Sequence, residues 1–292
     1  MAEKIDYRRL NCGMDLAVMP MTDRPIVAIA IRVLAGFAFE SPRYLGVAHV
    51  CDEAIGKGTA KRDGRALNDA FDEIGATHSS SAGRESFGFS CLCLPEFTAQ
   101  AIDLLAEMIR TPSFPQDACD VAVELARQSL AALDDDPQEL AKKLLHHHAY
   151  GDPLGRHPFG EQQTLERIGR EQIVDHWQRF FRSPNMQCTV TGAVEPDRMA
   201  DLLEAVFEDF APDPKSSSDR PAPPPLRFTP GRRHYAKDLE QEQVMLCFPG
   251  AAVTDHDFPV EQVLLGVLAG GMSGRLFTEV REKQGLVYWV GT

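Results

Sequence analysis

Apolar and β-branched runs at Met14 to Met19 and Pro25 to Leu34, parted by the turn-like Thr22-Asp23-Arg24-Pro25, predict two adjacent strands. The period then changes. Gly46-Val47-Ala48-His49-Val50-Cys51-Asp52-Glu53-Ala54 reads as a short helix stopped by Gly56 and Gly58, and Ala66, Leu67, Ala70, Phe71 and Ile74 recur at helical spacing. Strand patterns return at Thr77 to Ala82 and Ser86 to Leu94. The second alternates Phe87, Phe89 and Cys91, whereas the first is small and polar at Ser79, Ser80 and Ser81. That composition predicts an exposed sheet edge, and an edge with free main-chain groups accepts a peptide as an added strand. The three serines are therefore the candidate peptide-binding residues.

Helices are predicted over Ala99 to Arg110, Gln116 to Leu133 and Pro137 to Tyr150, broken at Thr111-Pro112 and at Asp134-Asp135-Asp136-Pro137. A helix at Arg170 to Arg182, a strand at Gln187 to Thr191 and a helix from Pro196 to Phe210 close the first unit. His146, His147 and His148 point in different directions from one helix end, which suits surface or capping roles better than a compact metal site. Residues 213–226, with Ser216-Ser217-Ser218 and Pro223-Pro224-Pro225, have the composition of a linker. Beyond it, strands are expected at Arg233 to Ala236, Val244 to Phe248 and Leu286 to Val290, and helices at Val260 to Ala269 and Ser273 to Glu282. Strand, polar loop and apolar helix recur as at the start of the chain, which suggests an internal duplication. The expected scheme is a first domain over 1–212 and a second over 227–292 that is incomplete beside the roughly 100 to 200 residues of an ordinary domain. Strands cluster before and after helical runs, so the fold class is α+β, with mostly antiparallel sheets and helices on one face.

Composition narrows the partners. A 292-residue chain with 43% hydrophobic content is long and apolar enough for a substantial core, and a net charge of -13 argues against nucleic acid or anionic membrane. No apolar run approaches the roughly 20 residues of a membrane span, so a cytoplasmic location is the default. Seven cysteines without regular spacing suit buried thiols in a reducing compartment; Cys91-Leu92-Cys93 reads as strand and no metal is assigned to it.

The chemistry concentrates at His49, Asp52 and Glu53, whose i, i+3, i+4 spacing lets three side chains converge on one point. Inverted zinc hydrolases use H-x-x-E-H on such a helix; here the pattern is H-x-x-D-E. A hydrogen-bonded polar cluster under the helix is the other reading of the same residues. Further stretches carry a specific resemblance: Gly46 to Thr59, Asp134-Asp136-Pro137, Tyr150-Gly151 with Gly155-Arg156, Asn185-Met186 with Thr191-Gly192, and Gly270-Gly271-Met272-Ser273-Gly274-Arg275-Leu276-Phe277 running into Val280-Arg281-Glu282-Lys283-Gln284-Gly285-Leu286-Val287-Tyr288. In that order they resemble the pitrilysin/insulinase family of zinc metallopeptidases, which includes the mitochondrial processing peptidases.

The resemblance implies metallopeptidase-like units and locates the family's working residues. Asp52 stands at the general-base position, and His49, Glu53 and Ser129 stand at the three ligand positions. Aspartate is short for the base and serine is a poor zinc ligand, so the expectation is an inert site with no cofactor in this chain. Arg281 and Tyr288 match the arginine and tyrosine that stabilise the substrate oxyanion in the family. Loss of one set and retention of the other suggest a non-catalytic subunit that assists an intact H-x-x-E-H chain, or a second copy of itself, on a peptide substrate. The alternatives are an endopeptidase with a variant metal site and a structural scaffold subunit.

Overall fold

The computed structural model describes residues 5–210, 222 and 224–292; the expected linker at 213–226 falls mostly outside them. Two compact units form, 1–245 and 246–292.

The first unit is built on one mixed six-stranded sheet: β1 (Asp6–Arg9), β2 (Asp15–Pro20), β3 (Val27–Val33), β4 (Thr77–Ala82), β5 (Phe87–Cys93) and β6 (Met186–Gly192), in the order β1-β2-β6-β3-β5-β4. Only β2 and β6 pair in parallel. Strict alternation decides which face is covered. Val27, Ile29, Ile31 and Val33 of β3, Phe87 and Phe89 of β5, and Met186 and Val190 of β6 are buried, while Ala28, Arg32, Ser90 and Thr189 face out.

Helices α1 (Val47–Ile55), α2 (Gly64–Glu73), α3 (Thr98–Arg110), α4 (Gln116–Ala132), α5 (Pro137–Tyr150), α6 (Gln162–Leu165), α7 (Arg170–Phe180) and α8 (Pro196–Phe207) complete the unit. α1 packs against α4, α7 and β4 at the centre of the helical layer. The opposite face of the sheet bears a shallow depression of about 450 Å³, lined by Ala28, Ala30, Ser79, Leu92, Thr189 and Thr191 among others.

Two features of the sheet differ from expectation. β2 and β3 are not neighbours, because β6 lies between them. The link from Met21 to Ile26 has six residues, reaching about 20 Å, and the inserted strand requires only about 10 Å, two strand spacings. β1 was absent from the pattern because Asp-Tyr-Arg-Arg has no apolar alternation; it is an edge strand held by pairing with β2, where charge discourages further association. β4 occupies the other edge, as its polar composition predicts.

In the second unit α9 (Phe258–Ala269) forms where an apolar helix was expected, with Val260, Val263, Leu264 and Val267 exposed. The segment expected to be helical from Ser273 to Glu282 is helical from residue 275, as a π-helical turn over Phe277–Glu282. Arg233 to Ala236, Val244 to Phe248 and Leu286 to Val290 join no ladder among the described residues, correcting three strand assignments. Apolar periodicity marks a segment able to pair; a strand also needs a neighbour.

Candidate functional site

α1 starts at Gly46, whose φ of 97° favours glycine and whose added Cβ would lie 3.0 Å from Leu165 Cδ2 and 3.1 Å from the Phe159 carbonyl oxygen. Its first N–H groups are served from outside the helix. Gly46 N and Ala48 N donate to Glu40 Oε2 and Oε1 at 2.9 and 2.7 Å. Glu40 is buried, which pushes its carboxyl up to about 8, while the Ala48 and Gly46 N–H groups and Arg156 act against that rise. Arg156 ties the 151–160 loop to the same place, donating from Nη1 to the carbonyls of Glu40, Ala38 and Phe37 and pairing with Asp152. Thr164 Oγ1 also donates to the Leu45 carbonyl at 2.8 Å.

One side of α1 is core: Val47, Val50, Cys51, Ala54 and Ile55. His49, Asp52 and Glu53 share the half-buried side, but they do not converge on one point as metal ligands. Asp52 is turned toward β4. Ser80 Oγ donates to its Oδ1 at 2.6 Å and Ala82 N to its Oδ2 at 3.0 Å. Burial raises the Asp52 carboxyl against these two bonds. The His49 ring packs on Phe159 at 4.8 Å, and burial lowers its pKa despite Glu53 and Asp52. His157 also packs on Phe159, at 5.0 Å, and burial takes its pKa down to about 4. Ser129 is half-buried on α4, one turn beyond Ala126 on the stripe formed by Cys119, Ala122 and Val123.

This donor set does not fit a catalytic zinc. Both oxygens of Asp52, the residue expected as base, are engaged by a strand, Ser129, expected as a ligand, is a poor donor to zinc, and no three His, Cys, Asp or Glu side chains among the described residues converge as metal ligands. The arrangement instead ties a helix to a sheet edge.

The serines of β4 divide between two faces. Ser80 faces α1, whereas Ser79 Oγ meets Ser90 Oγ at 2.8 Å on the uncovered face and Ser81 is exposed. Because Ala82 N donates to Asp52 instead of β5, the alternation of an antiparallel ladder turns the main-chain groups of Ser80 and His78 to the free edge and those of Ser79 and Ser81 to β5. In the second unit, Arg281 lies over the Phe277 ring at 4.6 Å and Tyr288 is 82% exposed.

Sequence reasoning did not single out Glu40, Arg84, His157 or Phe159. A glutamate six residues before a helix, with no N-cap Ser, Thr, Asp or Asn at Gly46, was the available signal for Glu40. His146 is more than a surface group: its ring is 6.1 Å from that of Tyr150 and its Nδ1 is 3.3 Å from Arg84 Nη2.

Residues 17–162 match the model of the insulinase family, peptidase family M16, and residues 167–292 match that of the peptidase M16 inactive domain. The chain belongs to the M16 family. An "uncharacterized zinc protease" of Rickettsia bellii is 26% identical over all of this chain and 70% of its own length. One from Streptomyces coelicolor is 29% identical over 86% of this chain and 56% of its own. A probable mitochondrial-processing peptidase subunit beta of Arabidopsis thaliana is 26% identical over 87% of this chain and 49% of its own. Among solved structures, a peptidase M16 inactive domain from Pseudomonas fluorescens superposes with a TM-score of 0.80 at 19% identity, covering 98% of this chain and 69% of that one. A Helicobacter pylori protease gives 0.80 at 16% identity, covering 96% and 69%. The M16 fold is thus retained. No helix among the described residues is long and apolar enough to cross a membrane.

Proposed function

We propose that this M16 chain is the non-catalytic subunit of a two-chain zinc peptidase, holding peptide and lending Arg281 and Tyr288 to an H-x-x-E-H partner. The observation that carries the reading is the fate of Asp52: the family frame is intact, but the base position is bonded to Ser80 and Ala82 and has become part of the scaffold. Division of labour between two chains accounts for that loss beside a retained arginine and tyrosine. The guanidinium of Arg281 and the hydroxyl of Tyr288 both donate hydrogen bonds, which suits them to a carbonyl oxygen gaining negative charge. The free edge of β4, through the main chain of His78 and Ser80, is the proposed peptide-binding element, with Ser79 and Ser81 beside it.

The reading keeps the two-unit scheme of 1–212 and 227–292 joined by 213–226. It locates the dimer in the cytoplasm, consistent with seven free cysteines, six of them buried. The test is co-purification. The tagged chain, expressed with an H-x-x-E-H chain encoded in the same genome, should retain it in a fixed ratio through gel filtration. Elution as a lone species that cleaves peptides with its own stoichiometric zinc would replace this reading with that of a variant-site endopeptidase, and a stable complex whose turnover ignores Arg281 and Tyr288 would leave a scaffold.

A further inference from the structure

Arg84 sits in the turn after β4, and its surroundings are unusual for a half-buried arginine. The guanidinium lies over the Phe37 ring at 5.4 Å. Nη2 is 3.3 Å from His146 Nδ1; a guanidinium has only donors, so Nδ1 accepts and the imidazole proton resides on Nε2. Nη1 is buried without a hydrogen-bond partner among the described residues. Arg156 and Arg170 show how this chain otherwise treats such groups. The first meets three carbonyls and a carboxylate, and the second meets the carbonyls of Phe114 and Ser113. Arg84 has one imidazole nitrogen.

No carboxylate forms an ion pair with this arginine among the described residues. Burial lowers its pKa, against the opposing influence of Tyr150 and Glu85. Lys142, paired with Glu139 at 2.6 Å, acts at His146 and Lys143 at His157, with Glu139 opposing both. His157 in turn shares Phe159 with His49, so this histidine lies next to the α1 site. In a chain of net charge -13, a partly desolvated guanidinium with a spare donor is unfavourable unless an anion completes it.

We infer that Arg84 and His146 form a receptor for a carboxylate on the peptide this chain holds, an inference that rests on the peptide-binding reading above. The carboxylate takes Nη2 in place of His146 and reaches Nη1 as the guanidinium turns out of its buried seat, giving the bidentate geometry that a guanidinium fork favours. His146 Nδ1 is released from Nη2, and with Arg84 neutralised the imidazole gains a proton more readily. Substrates are accordingly peptides with an acidic residue close to the segment paired on β4.

The probes are three short peptides of Ser, Thr and Val: a capped one with a single Glu, its Gln counterpart, and the Gln counterpart with a free C-terminal carboxylate. Calorimetry on the full chain at low ionic strength should show the Glu peptide binding at least about tenfold more tightly than the capped Gln peptide. Equal strengthening by the free terminus assigns the site to terminal carboxylates as well. Arg84→Gln should bring the Glu and Gln peptides within about threefold of each other while leaving the Gln peptide's affinity unchanged, and Arg84→Lys should retain part of the difference. In the unmodified chain, NMR titration should show the His146 pKa rising with the Glu peptide and not with the Gln peptide, a readout independent of whether Arg84→Gln folds. Equal binding of all three peptides would overturn the carboxylate receptor while leaving the β4 reading in place; binding of none would overturn both.

Discussion

Replacing Glu40 with alanine perturbs the helix that carries the candidate site without touching the site itself. Its two oxygens accept from Gly46 N and Ala48 N at 2.9 and 2.7 Å, and both donors are buried. Among the described residues no other side chain accepts from these two groups, so alanine strands two N–H groups at the positive end of α1. Each stranded group costs about 1–3 kcal/mol, offset in part by relief of the carboxyl's own burial, for a net loss of about 3 kcal/mol. For a domain of this size that is a fall of roughly 6–12 °C in melting temperature. The charge state adds a pH signature. Because burial pushes Glu40 up to about 8 from its ordinary 4.5, the folded chain keeps a proton that the unfolded chain has released. This contribution is fully present below about pH 4.5 and is lost as pH rises through 8. Glu40→Gln, which does not titrate, should flatten the stability profile over that window. Urea unfolding monitored by tryptophan fluorescence at pH 5 and 8 reads both effects. A Glu40→Ala variant within about 0.5 kcal/mol of the parent, a margin ordinary for surface substitutions, would refute the capping role.

Further outcomes follow from the site. Asp52→Ala removes the acceptor for Ser80 Oγ and Ala82 N and should cost about 1–3 kcal/mol, with faster hydrogen exchange at the Ala82 amide; unchanged exchange would mean that the bond does not hold the edge. Because α1 and α4 remain packed, the combined Asp52→Glu, Glu53→His and Ser129→Glu variant should bind about one zinc by elemental analysis, and zinc no higher than in the parent would indicate that the helices have drifted from ligand geometry. Arg281→Ala and Tyr288→Phe should each reduce turnover of the assembled peptidase about a hundredfold, on the order of 3 kcal/mol, with melting unchanged since both side chains are exposed; parallel losses of stability and activity would make them structural.

Where local periodicity decides a fold, the sequence was sufficient. Phe87, Phe89, Cys91 and Cys93 alternate inward on β5, and Asp136 before Pro137 caps α5 by accepting from Gln138 N and Glu139 N. Nonlocal choices were not legible. Nothing in Met14 to Leu34 tells that β6, more than 150 residues later in the chain, will enter between β2 and β3, and charged β1 has no apolar pattern to find. The same division holds at the site. Helical spacing put His49, Asp52 and Glu53 on one half-buried helix side, but the direction Asp52 faces depends on Ser80 and Ala82 across a tertiary contact. Glu40 and Arg84 act through main-chain groups and an imidazole brought close only by folding.

The most direct test of the non-catalytic role is peptide turnover by a purified H-x-x-E-H partner, measured alone, with this chain, and with its Arg281→Ala, Tyr288→Phe double variant. Addition of the parent chain should raise turnover by about a hundredfold or more and the double variant should restore little of it, while this chain alone cleaves nothing. Equal turnover with and without this chain, or cleavage by this chain alone that a zinc chelator abolishes, would contradict it.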